Sequence, residues 1–165
     1  MNITDNLLSS TQTQNNLGDG YLKFQLNQET AAILSIKHTQ EVIVVSVESV
    51  TSMPNMPACI LGLMNWRSRI VWVIDLPKML DLESPKNRVR QYNMIIIHTE
   101  SVLLGLVVPE IKGTIRLMSD AIKSPNLQVS PSLVPYLRGC VWQEPENVLV
   151  LDALAIVQSS VLHGD

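Results

Sequence analysis

From Tyr21 the chain alternates apolar and polar side chains with a period of two. In YLKFQL, Leu22, Phe24 and Leu26 share one face while Tyr21, Lys23 and Gln25 take the other, the mark of a half-buried strand. The turn NQET and the run AAILSI predict a second strand that pairs back as a hairpin. In KHTQEVIVV a helix-capable piece over 37–41 runs into the β-branched stretch 42–45, which predicts strand. Pro54 and Pro57 bar regular pairing, so SMPNMPAC predicts a loop leading to a short turn of helix near 58–61. RIVWVIDL is apolar throughout, as a strand hidden on both faces is. LPKMLDL predicts one or two helical turns opened by Pro77, with Met79, Leu80 and Leu82 inward.

A polar, basic segment, ESPKNRVRQ (83–91), predicts an exposed loop, after which the second half repeats the rhythm of the first. YNMIIIH and VLLGLVVP predict strands joined by TES; EIKGTIRLM predicts a short helix or bend and then a strand. SDAIKSPNLQVSPSLVP is a Ser/Pro-punctuated excursion, and YLRGCVWQE with VLVLD predicts a closing hairpin with Pro145 and Asn147 as turn residues. ALAIVQSSVL predicts an amphipathic C-terminal helix, with Leu154, Val157 and Val161 on one stripe after Asp152 as N-cap. Residues 1–19, rich in Ser, Thr, Gln and Asn, and residues 161–165 predict tails. Roughly nine or ten short strands with few brief helices predict a mainly β protein of two small barrels of about five strands each. Residues 20–160 then form one domain of two lobes, joined near 83–91, between which strands can be exchanged.

Composition changes the picture only at the surface. A chain of 165 residues hides roughly 70% of its unfolded surface on folding, enough for a core without staples. Charged residues make up 16% of it, against about 25% in an ordinary soluble domain, and the net charge is −3. Nucleic acid is not expected as a partner. An exterior of Asn, Gln, Ser, Thr and apolar atoms suits docking on other proteins. Cys59 and Cys140 lie far apart in apolar stretches without metal-ligand spacing, which predicts buried thiols. The N-terminus has no basic patch followed by an apolar run, and no stretch of the chain is apolar enough to span a bilayer. The expectation is a cytoplasmic protein without direct membrane insertion.

Candidate chemistry is sparse. No G-x-S-x-G, H-E-x-x-H, P-loop or G-x-G-x-x-G occurs, and His38, His98 and His163 each stand alone. Asp75 and Asp152 each follow an apolar strand and precede a helical segment, where N-caps are expected rather than acids. No catalytic residue, metal site or cofactor is therefore expected. What remains suits a scaffold: Arg67 and Arg69 at a turn, where a planar guanidinium can reach a partner's carboxylate or carbonyl, Trp66 and Trp72 as core by size or as interface anchors at a barrel rim, and Met53, Met56 and Met64 as contacts or gap-fillers.

The stretch LGLMNWRSRIVWVIDLPKML resembles the signature of the CheW family of chemotaxis coupling proteins, in which a G-x-x-N-x-R-G turn precedes an apolar strand ending V-I-D-L. YLKFQL, TQEVI, MPNMPACILGL, LLGLVV with KGTIRL behind it, and YLRGCVWQEPENVLVLD with a closing helix follow in the family's order, so the resemblance spans roughly residues 20 to 160. It implies two SH3-like barrels around a shared interior and no catalysis. It also implies a partner pair: the regulatory domain of a CheA-type histidine kinase, and a methyl-accepting chemotaxis receptor whose hairpin tip lies in an apolar groove between lobes. By motif, Thr39 and Glu41 occupy contact positions before a strand, Gly62 and Arg67 lie in the signature turn, and Gly105 is a close-approach glycine. Arg67 ranks first among them and Glu41 second. Ser68 stands where the family has glycine, which costs about 1 kcal/mol if the position is left-handed and puts the contact geometry of Arg67 in question. Pro109 and Glu110 replace the family's common V-D. The NWR and VWVIDL wording resembles the branch found with type IV pilus systems for twitching or phototaxis. The alternative is a CheW-like module that modulates the kinase array without touching a receptor.

Overall fold

The computed structural model describes residues 18–83, 88–125 and 129–163. Within them ten strands form two five-stranded sheets. They are β1 (Asp19–Gln25), β2 (Ala31–Ser35), β3 (Thr39–Ser46), β4 (Ile60–Trp66), β5 (Arg69–Asp75), β6 (Gln91–Thr99), β7 (Val102–Val108), β8 (Glu110–Leu117), β9 (Leu137–Gln143) and β10 (Glu146–Leu151). Two short helices, α1 (Leu76–Met79) and α2 (Ala153–Val157), follow β5 and β10.

The sheet orders are β8-β1-β2-β10-β9 and β3-β6-β7-β5-β4. In each, the third and fourth strands pair in parallel, β2 with β10 and β7 with β5, and the other pairs are antiparallel. The two lobes thus repeat one design. Each lobe takes three strands from one half of the sequence and a hairpin from the other. The join expected near 83–91 therefore does not separate the lobes: it connects β5 to β6 within the second sheet, with 84–87 outside the described residues. The chain crosses between sheets instead at the 3₁₀ turn Ile36–His38 and between Val108 and Glu110.

Apolar residues on both faces of the central strands explain why two sheets must stack. In β1 and β6, Leu22, Phe24, Ile95 and Ile97 point into an interior shared by both lobes. Tyr21 faces the first lobe's own core, and Met94 and Ile96 that of the second. The helices seal the shared interior, α1 with Leu76 and Met79, α2 with Ala153, Ile156 and Val157. Both start as the sequence predicts. The Asp75 carboxylate accepts from the Lys78 amide at 3.1 Å, and that of Asp152 from the Leu154 and Ala155 amides at 3.0 and 3.3 Å.

Among the described residues neither sheet closes into a continuous barrel ladder, and each is sealed by one bridge. Beyond β3 the chain turns through Val47–Ser49, and Thr51 exchanges two hydrogen bonds of 2.8 and 2.9 Å with Leu63 of β4. Beyond β8 it turns through Ser119–Ala121, and Lys123 exchanges two of 2.8 Å with Cys140 of β9. Glycine makes the first seal possible. A Cβ on Gly62, at φ +148°, would sit 2.0 Å from the Thr51 carbonyl oxygen.

Several local expectations are corrected. Only Ile36–His38 is helical in the 37–41 region; Thr39 already belongs to β3, because pairing with β6 extends the β-branched run backwards. Residues 60 and 61 are strand rather than helix, drawn into pairing with β5, and β8 is extended from Glu110 along the edge of β1. Asn147 pairs with Trp142, which leaves Glu144 and Pro145 as the hairpin turn. The C-terminal helix stops at Val157, too short for the expected stripe: Leu154 and Val161 are exposed while Ala153, Ile156 and Val157 are buried. Residues 160–163 form a 3₁₀ turn rather than a tail, with Leu162 against the shared core; 1–17 and 164–165 lie outside the described residues.

Gly62→Ala and Gly113→Ala separate strain from obstruction. Both glycines have left-handed φ, but nothing lies within 4 Å of a Cβ on Gly113. Urea unfolding is expected to show a loss of about 1 kcal/mol for Gly113→Ala and roughly 3 kcal/mol for Gly62→Ala. Equal losses would mean that the Thr51 bridge is not a tight seal.

Candidate protein-binding surface

The hairpin between β4 and β5 turns in two residues, Arg67 (φ +49°) and Ser68 (φ +64°). Positive φ at both central positions is the turn whose twist matches the flanking strands. Serine therefore does occupy a left-handed position here. The Asn65 side-chain oxygen accepts from the Ser68 amide at 3.1 Å and helps to hold it.

This turn aims Arg67 across the barrel mouth at Glu41 of β3. Arg67 Nη2 lies 3.0 Å from Glu41 Oε2, and Trp66 Nε1 donates to the same oxygen at 2.9 Å. The Arg67 guanidinium carbon stands 5.2 Å from the centroid of the Trp66 ring. Because β3 and β4 are opposite edges of their sheet, one carboxylate ties the two edges together. With the Arg67 side chain 69% exposed, the ion pair contributes at most about 1 kcal/mol, and the cation–π contact about 0.5–1 kcal/mol. The cluster thus orients more than it stabilises: one edge of the guanidinium is fixed and its other N–H donors face solvent. In the first lobe the equivalent hairpin is held differently, by Lys23 Nζ at 3.0 Å from Glu146 Oε1 and 3.2 Å from Gln143 Oε1.

All five residues singled out from the sequence fall in the second lobe, four in strands of its sheet and Arg67 in the β4–β5 turn. Only Arg67 and Glu41 meet. Thr39 donates from Oγ1 to the Ser35 carbonyl at 3.3 Å, closing the crossover turn. Gly62 is buried beneath Thr51, and Gly105, buried in β7, lies where a Cβ would come 2.7 Å from Met94 Sδ. The glycines shape the wall and offer no side chain to a partner. Of the two readings of Trp66, core or rim, the structure has it half-buried at the rim, where its indole nitrogen holds Glu41; that hydrogen bond to Glu41 has no signal in the sequence beyond an aromatic flanking a turn arginine. Trp142, 65% exposed on β9, was also missed.

A second feature lies where the lobes meet. Met56, Ile60, Trp72, Val102, Val157 and Leu162 line an apolar groove of about 180 Å³ between the second sheet and the C-terminal segment. Among the described residues no group of three or more His, Cys, Asp or Glu is placed to hold a metal ion. Cys59 and Cys140 are buried, and burial pushes the Cys59 thiol above its ordinary range, so that it stays protonated and unreactive. No helix among the described residues is long and apolar enough to cross a membrane.

The profile of the CheW-like domain matches residues 20–161, nearly the whole of this arrangement. The chain belongs to the CheW-like family. It is 29% identical over 142 residues to the chemotaxis protein CheW of Treponema pallidum, covering 84% of this chain and 82% of that one. To the chemotaxis protein CheW of Thermotoga maritima it is 23% identical over 137 residues, 83% and 86% of the two chains. The fold matches the crystal structure of the scaffolding protein TtCheW from Thermoanaerobacter tengcongensis with a TM-score of 0.71 at 23% identity, over 82% of this chain and 89% of that one. CheW-like proteins are non-catalytic scaffolding adaptors of chemotaxis; this chain is accordingly a chemotaxis coupling adaptor and not an enzyme.

Ser68→Gly removes the left-handed penalty while keeping the Asn65 bond, and is expected to raise unfolding stability by about 1 kcal/mol in urea titration. A neutral or destabilising result would show that Ser68 makes a compensating contact. In native protein a thiol reagent is expected to label neither cysteine until unfolding; rapid labelling of Cys59 would contradict its burial.

Proposed function

We propose that this adaptor couples a methyl-accepting chemotaxis-type receptor to the regulatory domain of a CheA-type histidine kinase in the cytoplasm, without a cofactor. The observation that carries the kinase half is the Arg67–Glu41–Trp66 cluster. It presents an oriented, half-free guanidinium at the end of a barrel, which suits a carboxylate or a row of backbone carbonyls on a partner. Ile70, 65% exposed beside the same turn, supplies an apolar contact that the partner covers. The groove lined by Trp72, Val102 and Leu162 supports the receptor half, since the apolar stripe of a helical hairpin fits such a trough.

The mechanism is mechanical. Two lobes packed on one interior hold the two binding surfaces in fixed register, so a conformational bias in the receptor reaches the kinase as a coupling free energy of about 1–3 kcal/mol. The wording NWR and VWVIDL supports a pilus-driven output, twitching or phototaxis, within that scheme.

A charge-swap series tests the kinase contact by comigration with the kinase regulatory domain on a sizing column. Arg67→Glu is expected to abolish comigration while leaving circular dichroism unchanged. Adding Glu41→Arg to it restores the internal pair and is expected not to restore binding, because the outward charge is still reversed. Full rescue by the double variant would reduce Arg67 to a strut of its own barrel.

A further inference from the structure

The first lobe carries an open polar cavity of about 360 Å³ that the coupling role does not use. It forms where β1, β9, the crossover turn Ile36–His38 and the turn after β8 meet at the mouth of that barrel. Lys37, His38 and Arg138 surround it, with Asp19 as the one acidic side chain in the lining. At neutral pH the lining is therefore net positive, whereas the whole chain carries −3. Neither Lys37 nor Arg138 takes part in an ion pair among the described residues. Two cations, Lys37 and Arg138, against one carboxylate, Asp19, leave one net positive charge in a concave site, which favours small anions there.

A second observation comes from inside the barrel. Tyr21 is 9% exposed and packs on Ile33, Val148 and Val150, yet it borders this cavity. Its hydroxyl has no hydrogen-bond partner among the described residues. The ring is packed away but its oxygen is not fully buried: among the described residues Thr99 Oγ1 alone is a fully buried side-chain polar atom without a partner, so the Tyr21 hydroxyl is free to donate to an occupant of the cavity.

We propose that this cavity binds a small phosphate-bearing ligand. The Lys37 ammonium and the Arg138 guanidinium supply charge. The Tyr21 hydroxyl, with the hydroxyls of Ser35 and Ser119 in the same lining, adds donors beyond those the two oxygens of a carboxylate would use. Lys37 lies in the turn that carries the chain from one sheet to the other, so occupancy bears on the joint between the lobes.

The test is a titration of the full chain with sodium phosphate at constant ionic strength, followed by ¹H–¹⁵N spectra. Saturable shifts are expected at the amides of Lys37, His38, Ser119 and Arg138, and none with chloride alone. Arg138→Gln is expected to weaken binding by roughly tenfold or more, the loss of a charge-assisted contact. Tyr21→Phe keeps the packed ring, so it is expected to weaken binding severalfold with an unchanged melting temperature. An arm with adenosine 5′-monophosphate separates sources: tighter binding at the same amides identifies a phosphate ester, equal binding the free ion. Shifts that grow linearly without saturating, or binding that survives both Arg138→Gln and Tyr21→Phe, would overturn the proposal.

Discussion

Phe24, Leu34, Ile95, Leu106 and Ile156 meet in one apolar interior that belongs to both lobes, and the rest of the structure depends on that contact. The central strands carry apolar residues on both faces, so either sheet standing alone would leave one face in water. Removing apolar surface from water stabilises by about 25 cal/mol per Å², and stacking hides the second face of both sheets in one step. The short helices complete the seal at symmetric positions, each fixed by an aspartate cap at the end of a parallel-paired strand. Exchange of hairpins between the halves adds a topological link: neither lobe can be assembled from one half of the sequence.

That shared interior makes the molecule useful as a coupler. The Arg67 turn and the trough near Trp72 are the tip and the side of one β4–β5 hairpin within the same packed sheet. Close-packed interiors deform little, so under the proposed coupling a displacement at one surface would be carried to the other instead of being absorbed. The two barrel ends are similar in fold but unlike in chemistry. The β4–β5 tip carries Arg67 and Arg69, the β9–β10 tip Glu144 and Glu146. A pseudo-symmetric scaffold thereby presents distinct faces.

Much of the fold was legible because period-two alternation survives wherever a strand has one wet face; YLKFQL is the plain case. The doubly buried strands were legible for another reason, as short continuous apolar runs bounded by turn residues. Misreadings came where tertiary pairing overrode local preference. Thr39 to Glu41 and residues near Ile60 have no decisive local signal and became strand because β6 and β5 offered partners. The lobe boundary was invisible, since strand exchange leaves no mark in composition. Of the site, the turn arginine and Glu41 stood out by motif, but their meeting is a consequence of barrel curvature. The cavity around Tyr21 joins residues more than a hundred positions apart, from Asp19 to Arg138, and no spacing rule reaches across that distance.

The most direct test of coupling through one rigid body is receptor-dependent kinase activity measured with Val102→Asp. Val102 lines the groove, is 38% exposed, and lies outside the Arg67 cluster. The account predicts that the variant still comigrates with the kinase regulatory domain but no longer raises kinase activity in receptor-containing membranes. Undiminished activation by the variant, or activation that never required the adaptor, would contradict it.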